Sequence, residues 1–244
     1  GIPVNAVFGF TNMLLKLIED IQNEKGGNVA IAVIFDAARE TFRNKIYPQY
    51  KANRSDPPED LKPQFDIIKK VPNAFNLESI ESKGFEADDL IASYTKKAKE
   101  EGKKITIVSS DKDLMQLLGK GVTMIDPLKK KEITEEHVIE KFGVGPEKVI
   151  EVQALSGDTS DNIPGVPGIG PKTASQLIKE FGDIEELIEN ANSIKQDKRR
   201  ESILSNKELL IISKKLVTLK DDVELPVSIQ DLKFKPLRVE KLIE

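Results

Sequence analysis

The sequence predicts an α/β fold in which buried strands alternate with helices. Two apolar, β-branched runs, at residues 28–35 and 105–108, have the composition of strands that are covered on both faces. Between them, residues 86–101 have the spacing of an amphipathic helix, with Leu90 and Tyr94 on its apolar side. Strands of this kind belong to parallel sheets flanked by helices.

The remaining elements follow from helical spacing and turn residues. We expect a helix in the first 21 residues, a helix at 61–75 interrupted near Pro72, a short strand at 76–81, a strand at 121–127 with a hairpin at 128–134, helices at 134–142 and 146–155, a helix beginning at Pro171, and one long helix at 195–219.

Composition excludes several classes of site. The chain has no Cys and a single His, which excludes thiol catalysis and Cys-ligated zinc and disfavours a Ser-His-Asp enzyme. No apolar run approaches the ~20 residues that span a membrane, and no signal-peptide pattern occurs. We therefore expect a cytoplasmic monomer with no membrane partner.

Carboxylates follow both predicted strands. Asp36 comes directly after residues 28–35, and Asp111 and Asp113 come shortly after residues 105–108. The carboxyl end of a strand is where open α/β sheets bind ligands. The alternative is that Asp36 begins a turn and Asp111 caps a short helix at 112–118.

A second acidic group, Glu86, Asp88 and Asp89, lies at the start of the helix at 86–101. Acidic residues there also favour the helix dipole, so each one alone has an ordinary structural explanation. Gathered carboxylates repel one another, however, and a hard divalent cation such as Mg²⁺ or Mn²⁺ removes that repulsion. The two groups together predict a metal site.

Residues 39–60 mix basic side chains with Phe42, Tyr47 and Tyr50. This mixture suits contacts to phosphate and stacking on nucleic-acid bases, although an ordinary surface loop could have the same composition.

Residues 157–182 contain a Gly/Pro-rich turn before a helix. The spacing from Gly165 to Lys172 fails the Walker A and dinucleotide-binding patterns, because Pro171 intrudes and a final glycine is missing. The remaining interpretation is a helix–hairpin–helix that binds phosphate at the start of its second helix. The alternative is a turn between packed helices.

The ordered motifs FDA, FRxxxYPxYKANR, FEADD, SSDKDLMQLL and ALSGDTSDNIPGVPGIGPKTA resemble the 5′-nuclease domain of bacterial DNA polymerase I, in the flap-endonuclease superfamily. The resemblance covers nearly the whole chain. It implies a PIN-like, mainly parallel sheet flanked by helices, with a nuclease core at residues 1–155, a helical arch near 39–60, and a helix–three-turn–helix and C-terminal helical region at 156–244.

The resemblance also implies the site residues. Ligands of two divalent ions, Mg²⁺ or Mn²⁺, would be Asp36, Glu86, Asp88, Asp89, Asp111, Asp113, Asp158 and Asp161. Catalytic cations would be Lys51 and Arg54. DNA contacts would come from Arg43, Tyr50, Gly165, Gly168, Gly170, Lys172 and Thr173, and K⁺ could bind at the helix–hairpin–helix.

The implied function is a 5′→3′ exonuclease and 5′-flap endonuclease in DNA replication and repair. The family opens with a strand that carries a further metal-ligand Asp, which we expect to precede Gly1, and we expect fusion to a polymerase in a longer parent chain. The alternatives are a catalytically incomplete duplex-DNA-binding module and, less favoured because of the helix–hairpin–helix, a single-strand RNase.

Overall fold

A computed structural model describes residues 3–25 and 29–234. The helices are α1 Asn5–Lys25, α2 Phe42–Ile46, α3 Lys62–Ile68, α4 Val71–Ala74, α5 Ala87–Glu100, α6 Glu135–Phe142, α7 Val149–Ser156, α8 Pro171–Phe181, α9 Ile184–Glu189, α10 Asp197–Ser205 and α11 Lys207–Val217. The strands are β1 Ala32–Ile34, β2 Glu78–Ile80, β3 Ile105–Val108, β4 Val122–Asp126 and β5 Lys131–Ile133.

The chain forms two compact units. Unit 1 comprises Gly1–Arg39, Ser55–Tyr94 and Asp222–Glu244, and unit 2 comprises Glu40–Arg54 and Thr95–Asp221. Within the described ranges, every helix is too short or too polar to cross a membrane.

Unit 1 contains a parallel pair of strands packed beside α1. β1 and β2 align with Ala32 opposite Glu78. The apolar stripe of α1 supplies Leu14 and Ile18 to a core that also contains Phe75 and Leu77. Burying these side chains stabilises the unit by roughly 1.5–3 kcal/mol each. The predicted strands at 28–35 and 76–81 are thus confirmed in shorter form, and residue 28 lies outside the described residues.

Unit 2 contains a three-stranded sheet in the order β3-β4-β5. β3 and β4 are parallel, and β5 returns antiparallel to β4, as expected for a hairpin. The fully buried side chains of this unit include Leu114, Met124, Leu155, Leu177, Leu187, Leu210 and Leu216. The α/β class with mainly parallel pairing is confirmed.

One helix prediction needs correction, and another is refined. The helix expected at 195–219 is two helices, because Asn206 leaves the helical conformation and its side chain bonds the Ser202 carbonyl, which ends α10. The interruption expected near Pro72 falls at residues 69–70, between α3 and α4. Pro72 has no amide hydrogen to donate to the preceding turn, so α3 ends before it and Pro72 lies in the first turn of α4.

Candidate active site

The acidic group of unit 1 surrounds the start of α5. The Asp36 carboxylate accepts a hydrogen bond from the Ala87 amide at 2.7 Å, and the Asp89 carboxylate accepts one from the Glu86 amide at 3.0 Å. Asp89 is fully buried, whereas Asp36 is exposed. These carboxylates satisfy amides that a helix start leaves without a partner, so helix capping accounts for part of the acidic pattern.

Lys69 fixes the loop that carries Asp36. Its ammonium group donates to the Asp36 carbonyl oxygen at 3.0 Å and pairs with Glu81 at 2.5 Å. The Asp36 carboxylate therefore belongs to a backbone segment that is held from two sides.

The acidic group of unit 2 begins directly after β3. Asp111 caps a 3-10 helix, Lys112–Leu117, and its carboxylate accepts a hydrogen bond from the Asp113 amide at 2.9 Å. The Ser109 hydroxyl oxygen accepts a bond from the Asp111 amide at 3.1 Å. Asp111 is exposed, and Asp113, two residues later, is half-buried.

Asp113 is held by Gln153 of α7, whose side-chain amide donates to it at 2.7 Å. Burial raises the pKa of Asp113 to about 6; the bond from Gln153 and the charge of Lys112 oppose that rise, and the charges of Asp111 and Asp161 add to it. The Gln153 side-chain oxygen is buried and has no hydrogen-bond partner among the described residues. A carboxylate that resists ionisation is therefore held in place by its neighbour on α7.

Lys112 lies among the carboxylates of this unit. It pairs with Asp158, whose other oxygen accepts bonds from the Ser160 amide at 2.9 Å and the Ser160 hydroxyl at 2.6 Å. Burial raises the pKa of Asp158, but the Lys112 and Ser160 bonds outweigh it and the pKa is lowered. Burial likewise opposes the charge of Lys112, yet the Asp158 bond and the nearby carboxylates raise its pKa.

Two basic side chains from residues 40–54 lie at the Asp161 carboxylate. Arg54 contacts this carboxylate at 2.5 Å, and the Lys51 ammonium lies 3.6 Å away. The Lys51 amide also donates to the Asp161 carbonyl at 2.9 Å, with Lys51 in the left-handed region at φ 55°. Asn53 adds a bond to the Thr159 carbonyl at 2.7 Å. The predicted catalytic cations are therefore anchored beside a predicted metal ligand.

The donor chemistry fits a hard divalent cation, since each predicted ligand is a carboxylate. Among the described side chains, no three His, Asp or Glu residues stand close enough to hold a metal ion. In unit 2, Asp158 and Asp161 are engaged by Lys112 and Arg54, so an ion there would share these carboxylates with the cationic side chains.

The turn before α8 has the backbone that a phosphate-binding turn needs. Gly165 has φ 62°, and an added Cβ would collide with the Gly157 backbone, so this glycine serves the fold. Gly168 has φ 79°, whereas Gly170 has an ordinary φ of −87°, and both face open space. Pro171 begins α8 without a side-chain cap from Gly170, as expected for a helix start that presents amides to a ligand. Lys172 is exposed and Thr173 half-buried.

Two residues predicted to contact DNA are buried instead. Arg43 is 1% exposed, and its guanidinium donates to the carbonyls of Leu216 at 2.8 Å and Thr218 at 3.2 Å. Tyr50 is 4% exposed, with its hydroxyl 3.4 Å from Asp161. These placements argue against base stacking by Tyr50 and a phosphate contact by Arg43. The residue types alone could not predict this, because they do not distinguish a buried side chain from an exposed one.

Lys69, Lys112 and Gln153 were not among the predicted site residues. Lys112 lies inside the SSDKD motif, so its position between two predicted ligands, Asp111 and Asp113, was a usable signal. Gln153 and Lys69 carry no motif, and only the tertiary contacts reveal them.

Two family models match the chain. The model described as "5′-3′ exonuclease, N-terminal resolvase-like domain" matches residues 1–143, and "5′-3′ exonuclease, C-terminal SAM fold" matches residues 144–240. Together they cover both the acidic groups and the turn before α8.

Relatives agree. The chain is 52% identical to a DNA polymerase I of Rhizobium leguminosarum over its full length, but spans only 24% of that protein. It is 40% identical to a 5′-3′ exonuclease of Aquifex aeolicus, covering 99% of this chain and 81% of the relative.

Among solved structures, the flap endonuclease of bacteriophage T5, in a pseudo-enzyme–product complex with DNA and metal ions, is 25% identical with a TM-score of 0.75. The match covers 86% of this chain and 81% of the phage protein. The predicted resemblance is thus confirmed, and the chain belongs to the 5′-3′ exonuclease family.

Proposed function

We propose that this chain is a metal-dependent 5′→3′ exonuclease and 5′-flap endonuclease that hydrolyses DNA phosphodiesters in primer and flap removal. The observation that carries the proposal is the acidic group of unit 2, in which Lys112 pairs with Asp158 and is also influenced by the charges of Asp113 and Asp161. Two more cations, Lys51 and Arg54, lie at the same group. Phosphodiester hydrolysis of this kind requires carboxylates that bind a divalent metal ion and basic side chains that neutralise the phosphate.

The proposed ligands in unit 2 are Asp111, Asp113, Asp158 and Asp161, and those in unit 1 are Asp36, Glu86, Asp88 and Asp89. Divalent ions, when bound, lower the pKa of a coordinated water and stabilise the attacking and leaving oxygens. Mg²⁺ or Mn²⁺ suits carboxylate oxygens.

The side chains of the chain itself hold these ligands and the substrate. Gln153 orients Asp113, and Ser160 orients Asp158. Lys51 and Arg54 would neutralise the scissile phosphate, as fixed positive charges do at a phosphoryl centre. Lys51 and Arg54 share the Asp161 carboxylate in this structure, and both would become available to the phosphate if a divalent ion took part of that carboxylate.

The turn at Gly168, Gly170 and Lys172 is proposed to hold the duplex backbone next to the cleavage point, with K⁺ as a further ligand of that turn. The T5 flap endonuclease, solved with DNA and metal ions, supports DNA and divalent ions as ligands of this chain too. Fusion to a polymerase follows the Rhizobium relative and remains a proposal, as do the monomeric state and the cytoplasmic location.

The test is cleavage of a duplex that carries a labelled 5′ flap, with Mg²⁺ and with EDTA. A duplex with a 3′ flap of the same sequence is the control substrate. We expect cutting near the 5′-flap junction in Mg²⁺ only, with a 5′-phosphate and a 3′-hydroxyl as products. Binding of the flap duplex without cutting would reject the nuclease and favour a DNA-binding module.

A further inference from the structure

The β4–β5 hairpin of unit 2 presents three consecutive lysines, Lys129, Lys130 and Lys131, which we call the lysine hairpin. All three are exposed, and the side chain of Lys129 is 80% exposed. Its partner Asp126 is 3.9 Å away, a distance at which an exposed pair contributes little. Within the described ranges, the side chains of Lys130 and Lys131 have no ion-pair partner.

Several other surface lysines of the unit are paired with carboxylates. Lys96 pairs with Asp221, Lys97 with Glu100, and Lys103 with Glu101. The three adjacent lysines, flanked by Asp126 and Glu132, carry a local net positive charge in a chain of net charge −4. A run of charged residues is often only a solvated surface. Whether this one is suited to bind a ligand depends on the rigidity and the position of the hairpin.

The tip of the hairpin is fixed. The buried Asp126 carboxylate accepts hydrogen bonds from the amides of Leu128 at 2.9 Å and Lys129 at 3.0 Å. Lys130 adopts the left-handed conformation at φ 51°. The backbone of Lys131 lies opposite that of Asp126 in the antiparallel pairing of β4 and β5. A fixed backbone loses less entropy on binding than a flexible loop, so its charges are suited to a ligand.

The hairpin lies at the same edge of the sheet as the acidic group of unit 2. β3 and β4 are parallel, with Val108 opposite Ile125, so their carboxyl ends coincide. Asp111 follows β3 at that edge, and the hairpin tip follows β4. Neighbouring strands are ~4.8 Å apart, so β5 runs roughly 10 Å from β3. An acidic site repels DNA, and positive charge at the same edge of the sheet offsets that repulsion.

We propose that the lysine hairpin is a second docking surface for the phosphodiester backbone of duplex DNA, flanking the acidic group. The inference rests on the proposed nuclease function and adds a substrate contact to it. The partner is duplex rather than single-stranded DNA, because the hairpin residues 127–131 include no aromatic side chain on which splayed bases would stack.

The test compares two triple variants of the chain. One carries Lys129→Ala, Lys130→Ala and Lys131→Ala. The matched control carries Lys103→Ala, Lys104→Ala and Lys120→Ala, which removes the same charge from the opposite edge, where β3 and β4 begin. Affinity for a 5′-flap duplex is measured in Ca²⁺ over a series of KCl concentrations, and single-turnover cleavage is measured in Mg²⁺ at saturating enzyme.

Each lost phosphate contact lowers the slope of log affinity against log salt by about 0.9. We expect the hairpin variant to lose roughly two to three units of slope and at least about tenfold in affinity at low salt, while the control stays near wild type. Its saturating cleavage rate should stay within about threefold of wild type, because the lysines do not touch the scissile phosphate.

Equal slopes and affinities for the two variants would overturn the inference, and so would a loss confined to an unpaired single strand. Failure of the wild-type chain to bind or cut the flap duplex would instead reject the proposed function. The two failures are therefore distinguishable in one set of measurements.

Discussion

Gln153 donates its side-chain amide to Asp113 across 2.7 Å, and the same side chain leaves its oxygen buried without a partner among the described residues. An unsatisfied buried oxygen costs about 1–3 kcal/mol, so the glutamine is a poor choice for stability alone. We interpret Gln153 as a positioning residue that orients a metal ligand.

Gln153→Leu tests that role. Leucine has a similar volume and removes both the bond to Asp113 and the unsatisfied oxygen, so the melting temperature in EDTA should change little. We expect the Mg²⁺ concentration for half-maximal cleavage to rise severalfold and Ca²⁺ binding by calorimetry to weaken alike. Gln196→Leu, at an exposed glutamine, is the control. A large loss of stability with unchanged cation affinity would make Gln153 purely structural.

Asp113→Asn tests the cost of the buried carboxylate. The pKa of Asp113 is raised to about 6 in the folded chain, from an ordinary value of 3.8. The stability from its protonated form is therefore complete below pH 4 and is lost as the pH rises through 6. In EDTA at pH 8, the variant should be more stable than wild type by up to about 3 kcal/mol, and the difference should vanish near pH 3. Urea unfolding at several pH values measures this.

Excess Mg²⁺ should reverse the order of stability at pH 8, because only the ionised aspartate binds the ion well. An identical pH dependence for the two proteins in EDTA would contradict the buried-carboxylate account.

Gly170→Ala separates DNA binding from folding. Its φ of −87° suits alanine, and its surroundings are open, so the stability should stay within about 1 kcal/mol. The methyl group would occupy the place where a phosphate approaches, and we expect a several-fold weaker affinity for duplex DNA. Gly165→Ala is the contrasting variant, because its Cβ would collide with backbone and unfold the turn. Unchanged DNA affinity in a folded Gly170→Ala chain would remove this turn from the interface.

Arg43→Met tests the buried arginine. Methionine fills similar space but leaves the Leu216 and Thr218 carbonyls without the guanidinium, so we expect a loss of about 2–4 kcal/mol in unfolding free energy. The salt dependence of DNA binding should be unchanged at a temperature where the variant is folded. A reduced slope without a loss of stability would restore Arg43 to the DNA interface.

Sequence patterns predicted the elements well where periodicity and turn chemistry agree. The strands at β3 and β4, the hairpin to β5 and the helix start at Pro171 all appear as expected. The prediction of one long helix at 195–219 was wrong. Asn206 has only a weak propensity against helix, so its residue type gave little warning, yet its side-chain bond to the Ser202 carbonyl is enough to end α10.

The site was less predictable, because burial and side-chain partners are tertiary properties. The pattern of basic and aromatic residues pointed to residues 39–60, but it could not tell that Arg43 and Tyr50 turn inward while Lys51 and Arg54 reach Asp161. Gln153 contacts Asp113 over 40 positions of sequence, and its residue type gives no hint of this.

Asp111→Asn tests most directly whether the acidic groups act in catalysis rather than in DNA binding. Asparagine is as good a helix cap as aspartate, and Asp111 is exposed, so the fold should be unaffected. Single-turnover cleavage of the 5′-flap duplex in Mg²⁺ is compared with affinity for the same DNA, using Glu132→Gln as the control for loss of one exposed charge. We predict a rate at least about 100-fold below wild type with affinity within about threefold. Cleavage at the wild-type rate would contradict the account.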